Sequence, residues 1–140
     1  MPNYLEWRDE YNLGYASIDK QHQQIIGIIN AVFIIVREGG PGEDLLKALS
    51  DLHIYTIKHF TFEEELLGAV GYPDRESHEL LHLKMRERTD VLVGRHYHAP
   101  SEDLAEETLA LLKGWWLNHI RGVDTLYAPY LEKLEETEGA

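Results

Sequence analysis

The chain contains no cysteine. That absence removes disulfides, thiolate zinc sites, iron–sulfur clusters and cysteine nucleophiles together, so any metal has to be held by nitrogen and oxygen donors. No apolar run reaches the roughly 20 residues of a membrane-spanning helix. The longest, Ile25 to Val36, is interrupted by Gly27 and Asn30 and reads as a buried helix. Positive charge is scarce too: 13 Lys and Arg face 25 Asp and Glu, and the resulting net charge of −12 repels nucleic acid and anionic membrane surfaces. The N-terminus, MPNYLEWRDE, lacks the apolar stretch of a signal peptide, which predicts a cytoplasmic protein. There is no internal repeat and no low-complexity linker.

What is present is an ordinary globular composition, 44% hydrophobic and 27% charged, in 140 residues, enough for one domain with its own core. The unusual component is histidine, with eight residues.

Three clusters of helix breakers punctuate the chain: Gly39 to Gly42, Gly71 to Asp74, and His98 to Ser101. Between them helical periodicity predicts four helices, near Ser17 to Arg37, Glu43 to Val70, Arg75 to Tyr97 and Glu102 to Arg121. No segment alternates with period two. Short loops force each helix antiparallel to its predecessor, so the fold class is all-α, an up-down-up-down antiparallel four-helix bundle. Residues 1–16, with Tyr4, Trp7, Tyr11 and Tyr15, form an N-terminal arm across the bundle, 17–124 the bundle itself, and 125–140 a solvated acidic C-terminal segment.

At about 100° per residue, the core stripe of the second helix runs Leu45, Ala48, Leu52, Tyr55, His59, Glu63, Leu66 and Val70. The corresponding stripes are His78, Leu81, His82, Met85 and Leu92 on the third helix, and Leu104, Ala105, Thr108, Leu112, Trp115 and His119 on the fourth. On the first, His22 aligns with Ile25, Ile26, Ile29, Phe33 and Val36. Each helix thus turns ligand-type groups inward. Burying five imidazoles and a carboxylate without compensation costs several kcal/mol, a large part of a typical stability of about 5 to 15 kcal/mol. A bound cation removes that difficulty.

Counted from the loop centres, His22 faces His59, Glu63 faces His82 and His78 faces His119, each within about two residues, or about 3 Å at the helical rise. His59 with Glu63 and His78 with His82 are i,i+4 pairs on single faces. Asp124 lies five residues after His119, about 140° around a regular helix, and joins the group only if Gly122 ends or bulges the fourth helix. Seven donors are too many for one tetrahedral zinc and suit two octahedral ions bridged by the two carboxylates. His53, His96 and His98 do not reach this level and read as surface or loop groups.

The ordered motifs LGYASIDKQH ending at His22, HFTFEE from His59, GYP at Gly71, HELLH from His78 to His82 and WWLNHIRGVD from Trp115 to Asp124 closely resemble the hemerythrin family, in particular its single-domain bacterial members. The resemblance covers most of the chain. It implies a non-haem di-iron centre (Fe2+/Fe3+) that binds dioxygen reversibly, as carrier, store, delivery protein or sensor, and admits small anions such as azide. By the same resemblance His78, His82 and His119 hold one iron, His22 and His59 the other, and Glu63 and Asp124 bridge them with a hydroxide or oxide. The expected outcome is binding without turnover, hence no enzyme activity beyond slow peroxidase-type side chemistry. One departure is Trp116, where the family commonly has Leu; it is expected to line and narrow the approach to the pocket. Another is Leu67, where a Met is common; there only a packing change is expected.

Two rivals rank below. His78-Glu79-Leu80-Leu81-His82 also satisfies the HExxH signature of zinc peptidases, with Glu79 as general base, but that leaves His22, His59, Glu63 and His119 unexplained. A ferritin-like di-iron oxidase needs two Glu-x-x-His motifs, and only Glu79 to His82 fits. For partners, Ile28, Val32 and Ile35 make a second apolar stripe on the first helix, with Ile54 and Ile57 pointing off the core face of the second. This predicts a homodimer through the outer face of helix 1.

Overall fold

A computed structural model of the chain describes residues 4–39 and 42–132, with Trp116 and Leu117 described by backbone only. Four helices dominate it: α1 (Ala16–Gly39), α2 (Glu43–Val70), α3 (Arg75–His98) and α4 (Glu102–Trp115). They form the expected antiparallel bundle, and no strand occurs among the described residues. None of the described helices is long and apolar enough to cross a membrane.

The helix ends follow from local chemistry. α2 stops where Gly71 adopts φ +67, with its N–H donating to the Gly68 carbonyl and the Tyr72 N–H to that of Leu67. This paired arrangement is the Schellman ending, for which glycine carries no Cβ penalty. Pro73 then prevents continuation. At the start of α4 the Ser101 hydroxyl accepts the Leu104 N–H at 3.0 Å, satisfying one of the orphan donors of the first turn.

α4 does not end at Arg121 as its periodicity suggests. From Trp116 to Val123 the chain winds as a π-helix, then tightens into a 3-10 turn over Asp124–Tyr127 before residues 128–132 resume an α-helical course. Gly122 lies inside the wide segment without a positive φ. The expected break at this glycine is therefore distributed over two π turns.

Among the described residues, buried apolar side chains form two clusters. The larger includes Ile25, Ile29, Leu45, Leu52, Phe60, Leu109, Leu112 and Trp115. The smaller includes Leu13, Tyr15, Ile18, Leu66, Leu67, Tyr72, Tyr127 and Leu131. On α1, His22 falls between Ile18 of one cluster and Ile25 of the other; on α2, His59 and Glu63 fall between Leu52 of the larger cluster and Leu66 of the smaller. The polar residues thus occupy a slab between two dry layers.

The N-terminal arm crosses the bundle as expected. The Leu5 N–H donates to Asn30 Oδ1 and Asn30 Nδ2 donates back to the Leu5 carbonyl, both at 2.8 Å. Tyr4 stacks on Phe33 with centroids 4.7 Å apart and donates its hydroxyl to the Leu109 carbonyl. Further along, Asp19 accepts the backbone N–H groups of Leu13 and Gly14.

Four expectations change. Val32 is fully buried, and Ile28 and Ile35 pack partly buried against the larger cluster, so that stripe does not face outward. Leu81, placed on the core stripe of α3, is exposed. His96 is buried rather than superficial, because Thr108 of α4 receives its ring nitrogen at 2.7 Å. The C-terminal segment does not begin as a solvated end: Tyr127 and Leu131 are both buried in the smaller cluster. Residues 133–140 lie outside the described part.

Candidate metal centre

The helices bring seven buried ligand-type side chains to the slab. His22 comes from α1, His59 and Glu63 from α2, His78 and His82 from α3, His119 from the π segment and Asp124 from its end. Among the described residues, donor atoms of Glu63, His78, His82, His119 and Asp124 lie within 4.8 Å of one another, as do those of His22, His59, Glu63 and Asp124. The carboxylates belong to both groups.

The two carboxylates divide their oxygens between the groups. Glu63 Oε1 is 2.5 Å from His78 Nε2 and 3.1 Å from His82 Nε2, while Oε2 is 3.0 Å from His59 Nε2 and 3.8 Å from His22 Nε2. Asp124 Oδ1 is 3.0 Å from His78 Nε2 and 3.2 Å from His119 Nε2, while Oδ2 is 3.3 Å from His22 Nε2. Glu63 Oε1 and Asp124 Oδ1 therefore share the three imidazoles of His78, His82 and His119, and Glu63 Oε2 and Asp124 Oδ2 share the two of His22 and His59. The π-helix makes this possible: the Asp124 N–H bonds to the His119 carbonyl, five residues back, and the widened turn sets residue 124 over residue 119.

Groups around the slab orient the rings. His59 Nδ1 donates to Gln21 Oε1 at 2.7 Å and His82 Nδ1 to Glu64 Oε1 at 3.2 Å. Each contact assigns the proton to Nδ1 and leaves the Nε2 lone pair turned inward, as an outer partner does for a metal-binding imidazole. The Tyr127 hydroxyl, fully buried, donates to Glu63 Oε2 at 3.1 Å. Phe60 stacks on His82 at 3.8 Å between centroids, and Trp115 lies nearly parallel to the ring of His119. Sequence reasoning missed Gln21, Glu64 and Tyr127. For the first two the only available signal was position, since Gln21 precedes His22 and Glu64 lies five residues after His59.

The electrostatics are those of a compressed charge cluster. Burial alone would lower the pKa of His22 and His78, but the Asp124 and Glu63 carboxylates outweigh it and raise them to about 9 and about 10. Burial likewise pushes Glu63 upward, yet the imidazoles of His22, His59, His78 and His82 gathered around it hold it well below the usual carboxylate range. Asp124 is also lowered: burial and Glu63 act upward, and His119 and His22 prevail. Burial and the two carboxylates push the Tyr127 hydroxyl well above its ordinary value, so it stays a donor.

Hydrogen bonds alone do not satisfy this slab. Among buried polar atoms, His82 Nε2, His119 Nε2 and both oxygens of Asp124 make no hydrogen bond, although Asp124 Oδ1 and His119 Nε2 are only 3.2 Å apart. Convergent donors, buried and without hydrogen-bond geometry to one another, fit cations placed between them. The set contains only nitrogen and oxygen, which suits an imidazole-tolerant divalent metal.

Glu79, the general base of the peptidase alternative, pairs with Arg75 at 2.9 Å and is not part of the cluster. His98 is exposed and His53 half-buried, and neither belongs to it. The expected role of Trp116 at the pocket mouth concerns a side chain outside the described ones.

Residues 13–131 match the family model of the hemerythrin HHE cation binding domain. The bacteriohemerythrin of Stenotrophomonas maltophilia (strain R551-3) is 35% identical over 127 residues, covering 89% of this chain and 79% of that protein. That of Methylococcus capsulatus (strain ATCC 33009 / NCIMB 11132 / Bath) is 32% identical, covering 86% and 88%, and the myohemerythrin of Riftia pachyptila is 26% identical, covering 91% and 93%. A crystal structure of a wild-type hemerythrin superposes with a TM-score of 0.80 at 26% identity, covering 91% of this chain and 98% of the other. With its bundle, its slab of imidazoles and carboxylates and these matches, the chain belongs to the hemerythrin family.

Proposed function

We propose that the chain binds dioxygen reversibly at a non-haem di-iron centre. His78, His82 and His119 would hold one iron, His22 and His59 the other, and Glu63 and Asp124 would bridge them together with an oxide or hydroxide. The observation that carries this reading is the division of the carboxylate oxygens: Glu63 Oε1 and Asp124 Oδ1 together meet three imidazoles, and Glu63 Oε2 and Asp124 Oδ2 together meet two. That asymmetry gives the two-histidine position fewer protein donors, and an open place for a small ligand. When bound, a ferrous pair supplies the electrons that hold dioxygen.

The protein's own part is to keep the ligand from reacting further. Apolar layers on both sides of the slab limit the entry of water and protons. A donor set richer in imidazole than in carboxylate favours binding over high-valent oxidation chemistry. The chain is thus read as an oxygen-binding protein and not an enzyme, with azide as a competing small ligand.

The test is iron content together with aerobic and anaerobic optical spectra. Two irons per chain and a visible charge-transfer band that appears with oxygen and disappears under vacuum are expected. One metal per chain, or a spectrum indifferent to oxygen, would refute the reading.

A further inference from the structure

On the side of the bundle where α3 and α4 flank each other, a cavity of about 470 Å³ opens between them, bordered by Leu81, Lys84, Arg88, Leu111, Trp115 and His119. Its volume lies in the range of small-molecule sites, roughly 300 to 1,000 Å³. His119 is the one residue it shares with the proposed iron centre; the oxygen-binding reading uses none of the rest of its wall.

Three observations characterise what it would take. First, its wall is mainly aliphatic and aromatic, and Leu81 is kept there exposed although it falls on the core phase of α3. Second, Lys84 and Arg88 border it without an ion pair to any described residue, whereas Arg75 and Arg95 of the same helix are paired with Glu79 and Glu107. In a chain of net charge −12, α3 is unusual in carrying five Lys and Arg against four Asp and Glu. Third, Trp115, 7% exposed, borders the same cavity, and its buried indole N–H has no acceptor among the described residues. The indole ring, and not this shielded nitrogen, is what an occupant of the cavity would meet.

We propose that this groove is a second binding site, for an organic anion with an apolar body, such as a long-chain carboxylate or an aromatic phosphate ester. The apolar body lies along Leu81 and Leu111, and the anionic group meets Lys84 and Arg88. An occupant would also touch Trp115, whose ring lies parallel to that of His119 with centroids 6.2 Å apart.

The site is tested on the metal-free full chain by titrating tryptophan fluorescence with dodecanoate, flavin mononucleotide and inorganic phosphate. Saturable binding of dodecanoate or flavin mononucleotide is expected, with inorganic phosphate at least tenfold weaker. A Lys84→Ala/Arg88→Ala chain, checked for its helical circular dichroism, should bind them at least tenfold more weakly. The Arg86→Ala chain, altered at an exposed cation outside the groove, should bind normally. No saturable binding by either organic anion, equal binding of inorganic phosphate, or an undiminished double variant would overturn the proposal. Because no metal is involved, its failure leaves the dioxygen reading intact, and failure of the oxygen spectra leaves this site intact.

Discussion

At the scale of single residues, the slab is governed by groups that never reach its centre. Gln21 and Glu64 determine which nitrogen of His59 and His82 faces inward. Such outer partners are worth roughly 10- to 100-fold in metal affinity. Gln21→Leu is therefore expected to release metal to a competing chelator at a concentration lower by that order, with the helical circular dichroism unchanged. His96 offers a separate, metal-independent test. The Thr108 hydroxyl already donates to the Leu104 carbonyl, so His96 Nε2–H is the donor in their contact. Burial and then Arg95 lower the pKa of His96, with Glu107 opposing. Its neutral form stabilises the fold fully above the unfolded value of about 6.5, and this contribution is lost as pH falls below it. Denaturant unfolding at pH 7.5 and 5.5 should show a larger acid loss for the parent chain than for His96→Gln; equal losses would contradict the assignment. The inward histidines were legible in the sequence because helical phase and distance from the loops agree for each. Gln21 and Glu64 were not, since a polar residue on a half-exposed helix position reads as a solvated face. His96 was misread because no apolar pattern announces that a threonine one helix away will receive it.

At the scale of elements, the informative piece is the wide turn from Trp116 to Val123. The five-residue interval from His119 to Asp124 indicated that a regular helix could not serve both residues, but not where the irregularity would lie. Hydrogen-bond length and packing decide that, and both depend on the neighbours. Glycine was the natural suspect, yet Gly122 has no positive φ and a Cβ there would meet nothing within 4 Å. Gly122→Ala should consequently stabilise the chain by about 0.5 to 1 kcal/mol through reduced freedom of the unfolded state, without changing metal content. Gly71→Ala should do the opposite, losing about 1 to 2 kcal/mol, because φ +67 places its Cβ against the following carbonyl. Urea midpoints of the two variants check both signs. The start of α2 at Glu43 and its end at Val70 were readable to the residue, since glycine clusters border it on both sides.

At the scale of the whole molecule, a polar slab between two apolar clusters makes stability depend on what fills the slab. A ligand that binds only the folded chain adds about 4 kcal/mol when free ligand exceeds Kd a thousandfold. For a chain of this length that corresponds to a rise on the order of 10 °C in Tm. Removing metal with a chelator should lower the thermal midpoint by that amount, as read by circular dichroism at 222 nm, and metal readdition should restore it. An unchanged midpoint would mean that the carboxylates are satisfied by protonated imidazoles alone. The bundle and its handing of one side of each helix to the core followed from the sequence, because four amphipathic segments and short loops leave few arrangements. The burial of Val32 and of the chain after Asp124 did not, because both depend on which distant segment lies over them.

Glu63 and Asp124 each turn one oxygen to either histidine group, so neither group owns a carboxylate of its own. Replacing any single ligand-type side chain thereby disturbs an anchor on which the opposite group also leans. The two halves are mechanically wedded, and mutagenesis of one will report on both.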